Sequence, residues 1–258
     1  MNKKQGEFLK ENIYGHVNRL AWIMKYLNKN DAIMEFGCGT GYMITYPLRC
    51  YGYQIEGFDL DNKSIKYGRR AFCVHDNFFL HALDIKDVKK KYDVIIASEV
   101  FEHMRMEVLD PVVDTIRARL NPGGILLVTV PNGYGWFEFE SFLWNKLGWG
   151  RMLEQLCVVS AVEKLKQLLF GESIDALHPS TLSTSQHVQK FTFHTIQNKL
   201  IERGFEIIET KGAVLFCGPF SNALFTSIKP IMRLNIWLGS RMPRIAAAFY
   251  IASRKSDA

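Results

Sequence analysis

The stretch from Glu35 to Gly41 reads Glu-Phe-Gly-Cys-Gly-Thr-Gly, and its three glycines stand at alternate positions. Apolar residues precede and follow it, so the sequence predicts a strand, a turn made of glycine and then a helix. Because glycine has no Cβ, the backbone of such a turn can lie directly against a flat ligand. The N-terminus of the helix would add free N–H groups for a carboxylate or a phosphate. The stretch therefore predicts a ligand site built from backbone.

The spacing of the glycines separates two kinds of nucleotide ligand. A dinucleotide site would have its third glycine at position 42, where this chain has Tyr42. Glycines at alternate positions after an acidic residue instead resemble motif I of the class I S-adenosylmethionine-dependent methyltransferases. A purely structural glycine turn is the alternative. The resemblance implies that five residues contact S-adenosylmethionine: Glu35, Gly37, Cys38, Gly39 and Gly41.

A second part of this site is expected at the end of the next strand. Residues 53–59 read as a strand that ends at Asp59, twenty residues after the middle glycine. A carboxylate at this place can bind both hydroxyls of a ribose. The alternative is that Asp59 caps the following helix, but Asp61 or Asn62 fits that role and leaves Asp59 available. We therefore expect Asp59, with Leu60 beside it, to contact the cofactor.

Two further cofactor contacts follow from the resemblance. In the family, an acidic residue after the third strand faces the adenine amino group. Asp84 is in that place, with Asp87 as a competitor, and either could instead be a solvated acid in a turn. Ser98, which directly follows the fourth predicted strand at 92–97, is counted with the cofactor contacts.

Candidate catalytic residues follow the predicted strand at 92–97. They are Glu99, Glu102 and His103, in an E-x-x-E-H pattern. On one helical turn, residues three and four apart share a face, so the three side chains can converge. Three roles remain open. His103 can be a general base, since imidazole titrates near neutral pH; the three residues can bind a metal; or Glu102 and His103 only cap and pack the loop. His187 is an alternative base, although a lone histidine in a loop is more often only solvated.

The metal hypothesis depends on donor chemistry and on a second resemblance. Two carboxylates suit a hard divalent ion such as Mg²⁺, whereas an imidazole is atypical for it. The pattern is similar to that of the quinone-biosynthesis O-methyltransferases, in which such residues bind a divalent metal near the acceptor hydroxyl. The same pattern also occurs in relatives that bind no metal.

Positioning these groups requires strands that alternate with helices, which the apolar periodicity predicts. The alternation indicates an α/β fold with a doubly wound, mostly parallel sheet of seven strands and right-handed crossovers. Its ligand should lie at the carboxyl ends of the strands. The predicted strands are 31–36, 53–59, 77–81, 92–97, 125–130, 205–209 and 246–253, and the main predicted helices are 8–27, 62–72, 107–120 and 193–203.

The order of the motifs agrees with the same family. Residues 92–95 (Tyr-Asp-Val-Ile) look like its fourth-strand motif, and residues 120–126 look like the turn before its fifth strand. With the glycine turn and Asp59, four motifs occur in the family's order within residues 31–131. The chain is identified as a class I S-adenosylmethionine-dependent methyltransferase, similar to O-methyltransferases of quinone biosynthesis and of bacterial polysaccharide clusters.

This resemblance implies methyl transfer from S-adenosylmethionine, which leaves S-adenosylhomocysteine, to a small-molecule acceptor. The leading expectation is a hydroxyl of a sugar, a glycan precursor or a quinone-like metabolite. N- or C-methylation of a metabolite and a non-catalytic S-adenosylmethionine-binding role are the alternatives.

Two segments, 132–190 and 218–243, are long for connections between strands. The first opens with seven aromatic residues between positions 134 and 149. It predicts either ordinary helices on the core or a lid that covers the acceptor and excludes water. The second predicts a short basic amphipathic helix, which could rest on an anionic membrane surface or cover a lipid-linked acceptor. A core-packing or dimer helix is the alternative.

Composition narrows the remaining classes. A chain of 258 residues suits a single α/β domain with insertions. The net charge of +6 is mild and no long basic block occurs, so a nucleic-acid partner is not expected. Five cysteines without a C-x-x-C pair, and no signal-like N-terminus, predict a reduced, cytoplasmic protein. No apolar run is long enough to span a bilayer, and both a monomer and a homodimer are compatible with the sequence.

Overall fold

The computed structural model describes residues 13–73, 79–170, 177–183, 186–218, 220–222 and 228–256. They form a seven-stranded sheet in the order β3-β2-β1-β4-β5-β7-β6. Neighbouring strands are parallel except at β7, which is antiparallel to β5 and to β6. The predicted α/β class with a mostly parallel sheet of seven strands is therefore confirmed. The strands are β1 (Ile33–Phe36), β2 (Ile55–Asp59), β3 (Leu80–Ala82), β4 (Tyr92–Ser98), β5 (Leu120–Pro131), β6 (Phe205–Gly212) and β7 (Ala248–Lys255).

Helices cover both faces of this sheet because successive strand residues point to opposite faces. Met34 and Ile95 pack on one face with residues of α4 and α8, and Ile33 and Ile96 pack on the other with Trp22 of α1. Burying each such side chain contributes about 2 kcal/mol. Within the described chain, no helix combines the length and the apolar content needed to cross a bilayer. The helices are α1 (Ile13–Ile23), α2 (Thr45–Cys50), α3 (Asn62–Phe72), α4 (Met106–Arg119), α5 (Trp136–Asn145), α6 (Trp149–Gln155), α7 (Val158–Phe170), α8 (Phe193–Glu202) and α9 (Lys229–Arg241).

The strand order creates a crevice at the carboxyl ends of β1 and β4. From β1 the chain adds β2 and β3 on one side, and it then returns to place β4 on the other side. Phe36 pairs with Ala97, so the residues after β1 and after β4 leave the sheet next to each other. Loops that diverge at such a switch point leave space for a ligand.

The helix after the glycine turn differs from the prediction. It was expected at the far end of the turn, but α2 begins only at Thr45 and has six residues. The intervening residues form a turn, because three glycines with positive φ direct the chain away from helical geometry.

Strand β5 begins earlier than predicted. The Asn-Pro-Gly-Gly turn was expected to precede the strand, but it lies within β5, which starts at Leu120. The pairing passes from Tyr92 with Leu120 directly to Val94 with Ile125, so four residues bulge out opposite Asp93. Gly123 has a φ of +67°, which allows the chain to leave the ladder and rejoin it.

Other boundaries agree within a few residues, and some fall outside the described chain. Positions 8–12 of the predicted first helix and 77–78 of the predicted third strand cannot be compared for that reason. The first long connection contains α5, α6 and α7, and the second contains α9.

Candidate functional site

A cavity of about 660 Å³ opens at the carboxyl ends of β1, β2 and β4. Its volume is typical of small-molecule sites, and it lies at the switch point described above. It contains all the sequence-predicted site residues except Gly41 and Asp84. The lining residues include His16, Arg19, Glu35, Gly37, Cys38, Gly39, Asp59, Leu60, Ser98, Glu99, Glu102, His103, Ser180, Thr181, Ser183 and His187.

The glycine turn forms one wall of the cavity, and glycine is required there by close contacts. Gly37 and Gly39 have φ values of +73° and +55°, in the region that side chains disfavour. A Cβ on Gly37 would lie 2.4 Å from Val100 Cγ2, and one on Gly39 would lie 2.2 Å from the Ser180 carbonyl oxygen. A Cβ on Gly41 would instead meet Leu80 in the core, which explains why Gly41 does not line the cavity.

Glu35 lies buried beneath the turn and binds the start of α2. Its Oε2 accepts hydrogen bonds from the Thr45 N–H, at 2.9 Å, and from the Thr45 hydroxyl. Burial raises the pKa of Glu35 to about 8. The first N–H of α2 is thus used inside the protein, so the expectation that this group is free for a ligand was wrong.

Asp59 connects the end of β2 to the glycine turn. Its Oδ2 accepts a hydrogen bond from the Gly39 N–H, and its Oδ1 accepts one from the Asp61 N–H, both at 2.7 Å. Asp61 caps α3 as predicted, by accepting from the N–H groups of Lys63 and Ser64. Each carboxylate oxygen of Asp59 has a second lone pair, so the group can still accept hydrogen bonds from two hydroxyls.

Asp84 lies in a different setting from the other predicted contacts. Its Oδ1 accepts from the Lys86 N–H at 3.0 Å, and its Oδ2 lies 3.3 Å from Lys86 Nζ. It caps a 3-10 turn at Ile85–Asp87. Asp84 is not among the described residues that line the cavity. Its hydrogen bonds are those of an acid in a turn, which was the alternative to an adenine contact. Leu60, in contrast, lines the cavity with an exposed side chain.

The end of β4 is held by residues from two other elements. Glu99 has a φ of +54°, which is uncommon for a residue with a side chain. Its Oε1 accepts from the Thr129 hydroxyl at 2.9 Å and lies 3.2 Å from Arg19 Nη1. The hydroxyl oxygens of Ser98 and Thr129 are also 2.9 Å apart. Helix α1, β4 and β5 are therefore joined at this side of the cavity.

This arrangement corrects the predicted convergence of Glu99, Glu102 and His103. The three residues were expected to share one helical face, but the left-handed backbone at Glu99 interrupts the helix and a 3-10 turn begins only at Phe101. Glu99 consequently pairs with Arg19, and Glu102 and His103 face a different neighbour, His187.

Glu102 is a buried acid with an incomplete set of hydrogen bonds. Its side chain is 2% exposed, and its Oε2 has no hydrogen-bond partner within the described part of the chain. Its backbone carbonyl accepts from the N–H groups of Val188 and Gln189, at 2.9 and 3.0 Å. Burial, and then the charge of Glu99, raise the pKa of Glu102 to about 9. The carboxyl group is therefore mostly protonated at neutral pH.

His103 is oriented by a backbone carbonyl. Its Nδ1 lies 3.2 Å from the Gln186 carbonyl oxygen. Because a carbonyl oxygen can only accept, Nδ1 carries the proton and Nε2 has the free lone pair. Nε2 lies 3.9 Å from Glu102 Oε1. The ring of His187 is edge-on to His103 with centroids 4.9 Å apart, and desolvation, followed by the neighbouring His103, lowers the pKa of His187.

Three residues of this cluster could hold a metal ion. In the described chain, one donor atom each from Glu102, His103 and His187 lies within 4.8 Å of the others. His187 thus takes the place that the sequence prediction gave to Glu99. Two imidazoles favour a transition metal over Mg²⁺. Because metal ligands must be deprotonated, a cation would have to displace the proton that the raised pKa keeps on Glu102.

A strap formed by residues 177–183 crosses the glycine turn. The Thr40 N–H donates to the Ser180 carbonyl at 2.8 Å, and the Tyr67 hydroxyl lies 2.9 Å from His178 Nδ1. The strap therefore closes one side of the cavity and connects the turn to α3.

Several lining residues were missed by the sequence analysis. His16 and Arg19 reach the cavity from α1, and Ser180, Thr181 and Ser183 reach it from the strap. The role of Arg19 could have been predicted from its position: it is a charged residue three positions from the buried Trp22, on the face of α1 that packs inward. No feature of the local sequence predicts the role of the strap residues, because their position depends on a contact with a turn about 140 residues earlier.

Curated relatives of this chain share modest identity with it. The malonyl-[acyl-carrier protein] O-methyltransferase of Priestia megaterium is 26% identical over 70% of this chain and 67% of that protein. The ubiquinone biosynthesis O-methyltransferase of Rickettsia akari is 26% identical over 49% of this chain and 47% of that protein. The sphingolipid C9-methyltransferase of Candida albicans is 25% identical over 46% of this chain. The chain matches only a quarter of that enzyme's length and less than half of several other relatives.

Solved structures share the fold. An S-adenosylmethionine-dependent methyltransferase from Methanosarcina mazei superposes with a TM-score of 0.56 at 17% identity, over 91% of this chain and 97% of that one. The magnesium protoporphyrin IX methyltransferase of Synechocystis with bound S-adenosylmethionine superposes with a TM-score of 0.53 at 13% identity, over 99% of this chain and 87% of that one. These similarities show that the chain shares its overall fold with these methyltransferases.

The family itself is established by the sequence match. Residues 6–210, most of the chain, match the family described as the methyltransferase domain. The match covers the glycine turn, Asp59, the segment after β4 and the strap. The chain therefore belongs to the methyltransferase domain family and has the fold of the S-adenosylmethionine-dependent methyltransferases, as the sequence resemblance predicted.

Proposed function

We propose that this protein transfers a methyl group from S-adenosylmethionine to a hydroxyl group of a small molecule. The observation that carries the proposal is the orientation of His103 at the cavity. Its Nδ1 is committed to the carbonyl of Gln186, and its Nε2 is left to accept a proton. A hydroxyl acceptor needs such a base, whereas an amine needs mainly alignment and removal of water.

The groups in the cavity fit S-adenosylmethionine. The backbone of residues 37–39 forms a wall without side chains at the two glycines, and the Asp59 carboxylate suits ribose hydroxyls. The pair of Arg19 and Glu99 offers a cation and an anion, which suit the carboxylate and the ammonium group of an amino acid. When bound, the cofactor supplies a methyl group that is already activated on a positively charged sulfur.

His103 performs the proton transfer in the proposed reaction. Its Nε2 would accept the proton of the acceptor hydroxyl while the hydroxyl oxygen bonds to the methyl carbon; the S–CH₃ bond would break, and its electron pair would leave with S-adenosylhomocysteine. A general base of this kind contributes about 10²- to 10⁴-fold to the rate. His187, whose ring lies edge-on to His103 and whose pKa is lowered by desolvation and then by His103, is the alternative base at this site.

The acceptor class follows from the base and agrees with the names of two relatives. Two of the relatives above are named as O-methyltransferases. We favour a hydroxyl of a sugar, a glycan precursor or a quinone-like metabolite. C-methylation is the second candidate, since another relative is named as a C9-methyltransferase.

We assign residues 132–190 the role of a lid within a single methyltransferase domain. The two ends of this segment are joined: the Gly133 N–H donates to the Phe191 carbonyl at 2.9 Å, and Lys190 Nζ lies 2.7 Å from Glu138. The N–H groups of Val188 and Gln189 also bind the carbonyl of Glu102. The strap closes the cavity from the same segment. Exclusion of water by such a cover favours transfer of the methyl group to the acceptor instead of to water.

A divalent cation held by Glu102, His103 and His187 is a second candidate for activating the acceptor. It would lower the pKa of a bound hydroxyl and make a separate base unnecessary. The Oε2 of the buried Glu102, which has no hydrogen-bond partner among the described residues, favours this candidate, and the raised pKa of the same group opposes it. Turnover that is lost with a chelator and restored by a cation would replace the base mechanism with the metal mechanism.

The proposal is tested first with the cofactor and then with acceptors. Calorimetric titration with S-adenosylmethionine, S-adenosylhomocysteine and NAD should detect binding of the first two only. A panel of hydroxylated acceptors is then screened for release of S-adenosylhomocysteine, and mass spectrometry locates the new methyl group.

The role of His103 is tested with His103→Ala. We expect turnover to fall by about 10²- to 10⁴-fold with nearly unchanged affinity for S-adenosylmethionine. His194→Ala, on α8, is the matched control and should retain turnover. Wild-type turnover in His103→Ala would remove this residue from the mechanism, and binding without turnover on any acceptor would favour a non-catalytic role.

A further inference from the structure

A second cavity, of about 570 Å³, lies beneath α5 and α6 and is separate from the site described above. Its volume is sufficient for a ligand of moderate size. Its walls are almost entirely carbon. They are formed by Trp136, Phe139, Glu140, Leu143, Trp144, Trp149, Met152, Leu153, Phe216, Phe220 and Ser221.

The one acidic residue in this lining is fully engaged within the protein. Glu140 Oε2 accepts from Trp136 Nε1 at 2.8 Å and from the Ser221 hydroxyl, and its Oε1 accepts from the N–H groups of Phe220 and Ser221. Glu140 thereby fixes the aromatic walls and offers little to a polar ligand. A hydrocarbon ligand suits these walls, because an apolar pocket cannot compensate the desolvation of polar groups.

The surface next to this cavity is unusually apolar for a surface that faces water. On α5 and α6, Phe139, Phe142 and Trp149 are each about half exposed, and on α9 so are Leu234 and Trp237. Continuous exposed patches of this kind mark interaction sites. We call the exposed residues of α5, α6 and α9, together with the loop after α9, the aromatic face.

The aromatic face and the cavity share residues and contacts. The Trp136 N–H donates to the Ile245 carbonyl at 3.1 Å, which joins the start of α5 to the loop after α9. The rings of Trp136 and Phe216 are in contact, with centroids 4.9 Å apart. Asn235 of α9 donates to the Phe216 carbonyl at 2.8 Å. These contacts hold α5, α9 and Phe216 together, so the cavity lies next to the aromatic face.

The charge of α9 identifies the partner of this face. Arg233 and Arg241 are exposed on α9, Arg244 is exposed just after it, and the Arg241 guanidinium lies 5.5 Å from the ring centre of Trp237. No Asp or Glu occurs between Lys211 and Ser256. A helix with exposed tryptophan and leucine among arginines is typical of segments that lie in the interface of an anionic membrane. A second copy of the chain fits less well, because a twofold contact on this face would oppose arginine with arginine.

We propose that the aromatic face rests on an anionic membrane surface and that the second cavity takes the hydrocarbon chain of a lipid acceptor from it. The role of this lipid as the methyl acceptor rests on the proposed function. The membrane contact and the binding of a hydrocarbon chain do not. We expect the head of such a lipid to lie in the first cavity, where His103 is a lining residue. Glu140, which lines the second cavity, and Glu99, which lines the first, both act on Cys217: burial, followed by the charges of these two residues, raises the pKa of its thiol to about 11.

The membrane contact is tested with vesicles. We expect the protein to sediment with vesicles of equal parts phosphatidylglycerol and phosphatidylcholine, to bind less at high salt, and to ignore vesicles of phosphatidylcholine alone. The combined change Arg233→Gln, Arg241→Gln and Arg244→Gln should weaken binding by about fivefold per arginine, since each contributes about 1 kcal/mol. The control carries the same charge change elsewhere, as Lys66→Gln, Arg70→Gln and Lys89→Gln, and should bind like the wild type.

The chain site is tested with cis-parinaric acid, whose fluorescence rises in an apolar pocket. Wild-type protein should bind this probe, and Leu153→Trp, which fills the cavity, should bind it at least tenfold more weakly. Leu168→Trp adds the same ring on the exposed surface of α7 and should leave binding unchanged. Melting curves of all variants check the fold, and Leu143→Phe provides a milder filling variant if Leu153→Trp is unstable.

Three results would overturn the proposal. They are equal vesicle binding by the two triple variants, equal probe binding by Leu153→Trp and Leu168→Trp, and a stable dimer whose contact buries the aromatic face. Neither binding assay requires methyl transfer. Titration of the same samples with S-adenosylmethionine reports separately on the proposed function, so failure of one can be told from failure of the other.

Discussion

The Gly39 N–H donates a 2.7 Å hydrogen bond to Asp59 Oδ2, which joins the glycine turn after β1 to the end of β2. The two parts of the proposed cofactor site that the sequence indicated separately are thus one unit. A change in either part should alter both the position of the turn and the affinity for the cofactor.

Replacing Asp59 tests this unit directly. Asp59→Ala removes the expected partner of the ribose hydroxyls and the acceptor of the Gly39 N–H. Hydrogen bonds to charged groups contribute about 1.5–3 kcal/mol, so we expect affinity for S-adenosylmethionine to fall by about 10- to 100-fold in calorimetric titration. Asp87→Ala removes an exposed acid of the 3-10 turn at Ile85–Asp87, which is absent from the described lining of the cavity, and should have no effect. Unchanged affinity in Asp59→Ala would refute the ribose role.

The close packing of the strap on the turn predicts different outcomes for two glycines. Gly39 and Gly52 both have positive φ, at +55° and +81°. Alanine in this region costs about 1–2 kcal/mol. A Cβ on Gly52 would lie more than 4 Å from every atom of the described residues beyond its own neighbours, whereas one on Gly39 would lie 2.2 Å from the Ser180 carbonyl oxygen. Gly39→Ala should therefore lower the melting temperature more than Gly52→Ala does, and only Gly39→Ala should weaken S-adenosylmethionine binding. An equal fall in melting temperature in both variants would mean that the strap moves to accommodate the new Cβ at little cost in free energy.

The ion pair between Arg19 and Glu99 should contribute to stability and to cofactor binding. The side chains are 10% and 33% exposed, so the pair is only partly screened by water. A double-mutant cycle with Arg19→Met and Glu99→Gln should give a coupling free energy of about 1–2 kcal/mol. This value lies between those of exposed and of buried ion pairs. Arg19→Met should also weaken S-adenosylmethionine binding. A coupling near zero with unchanged affinity would show that α1 only packs at this place.

Glu102 should make stability depend on pH. Its pKa is about 9 in the folded protein and near 4.5 in the unfolded chain, so between these values the folded state binds more protons. Stability contributed at this position is therefore lost as pH rises from about 4.5 towards 9. Glu102→Gln mimics the protonated acid and has no such loss. It should match the wild type in melting temperature near pH 4.5 and exceed it at pH 8.

The matched control for this pH effect is Glu206→Gln, at an exposed position of β6. It should follow the wild type at both pH values. A Glu102→Gln variant that gains nothing at pH 8 would mean that Glu102 is ionised in the folded protein, which in turn would favour the metal candidate.

The sequence alone determined those features that depend on neighbours along the chain. Asp61 caps α3 because its side chain reaches N–H groups two and three residues ahead. The buried run of β4 was recognisable because a strand covered on both faces is continuously apolar. Glycine at 37, 39 and 41 marked positive φ values that other residues disfavour. These local rules, with the motif resemblance, were sufficient for the fold class and for most residues of the cavity.

Only the tertiary structure decided which distant residues meet. Arg19 faces Glu99, His103 is oriented by Gln186, and Ser180 covers Gly39, across separations of about 80 to 140 positions. The sequence grouped Glu99 with Glu102 and His103, and the left-handed backbone at Glu99 separated them. Local spacing cannot encode such meetings, because they depend on strand order and on the paths of long connections over the sheet. The sequence thus specified the chemical groups and their local conformations, and the packing of the sheet and its insertions decided which of those groups share a cavity.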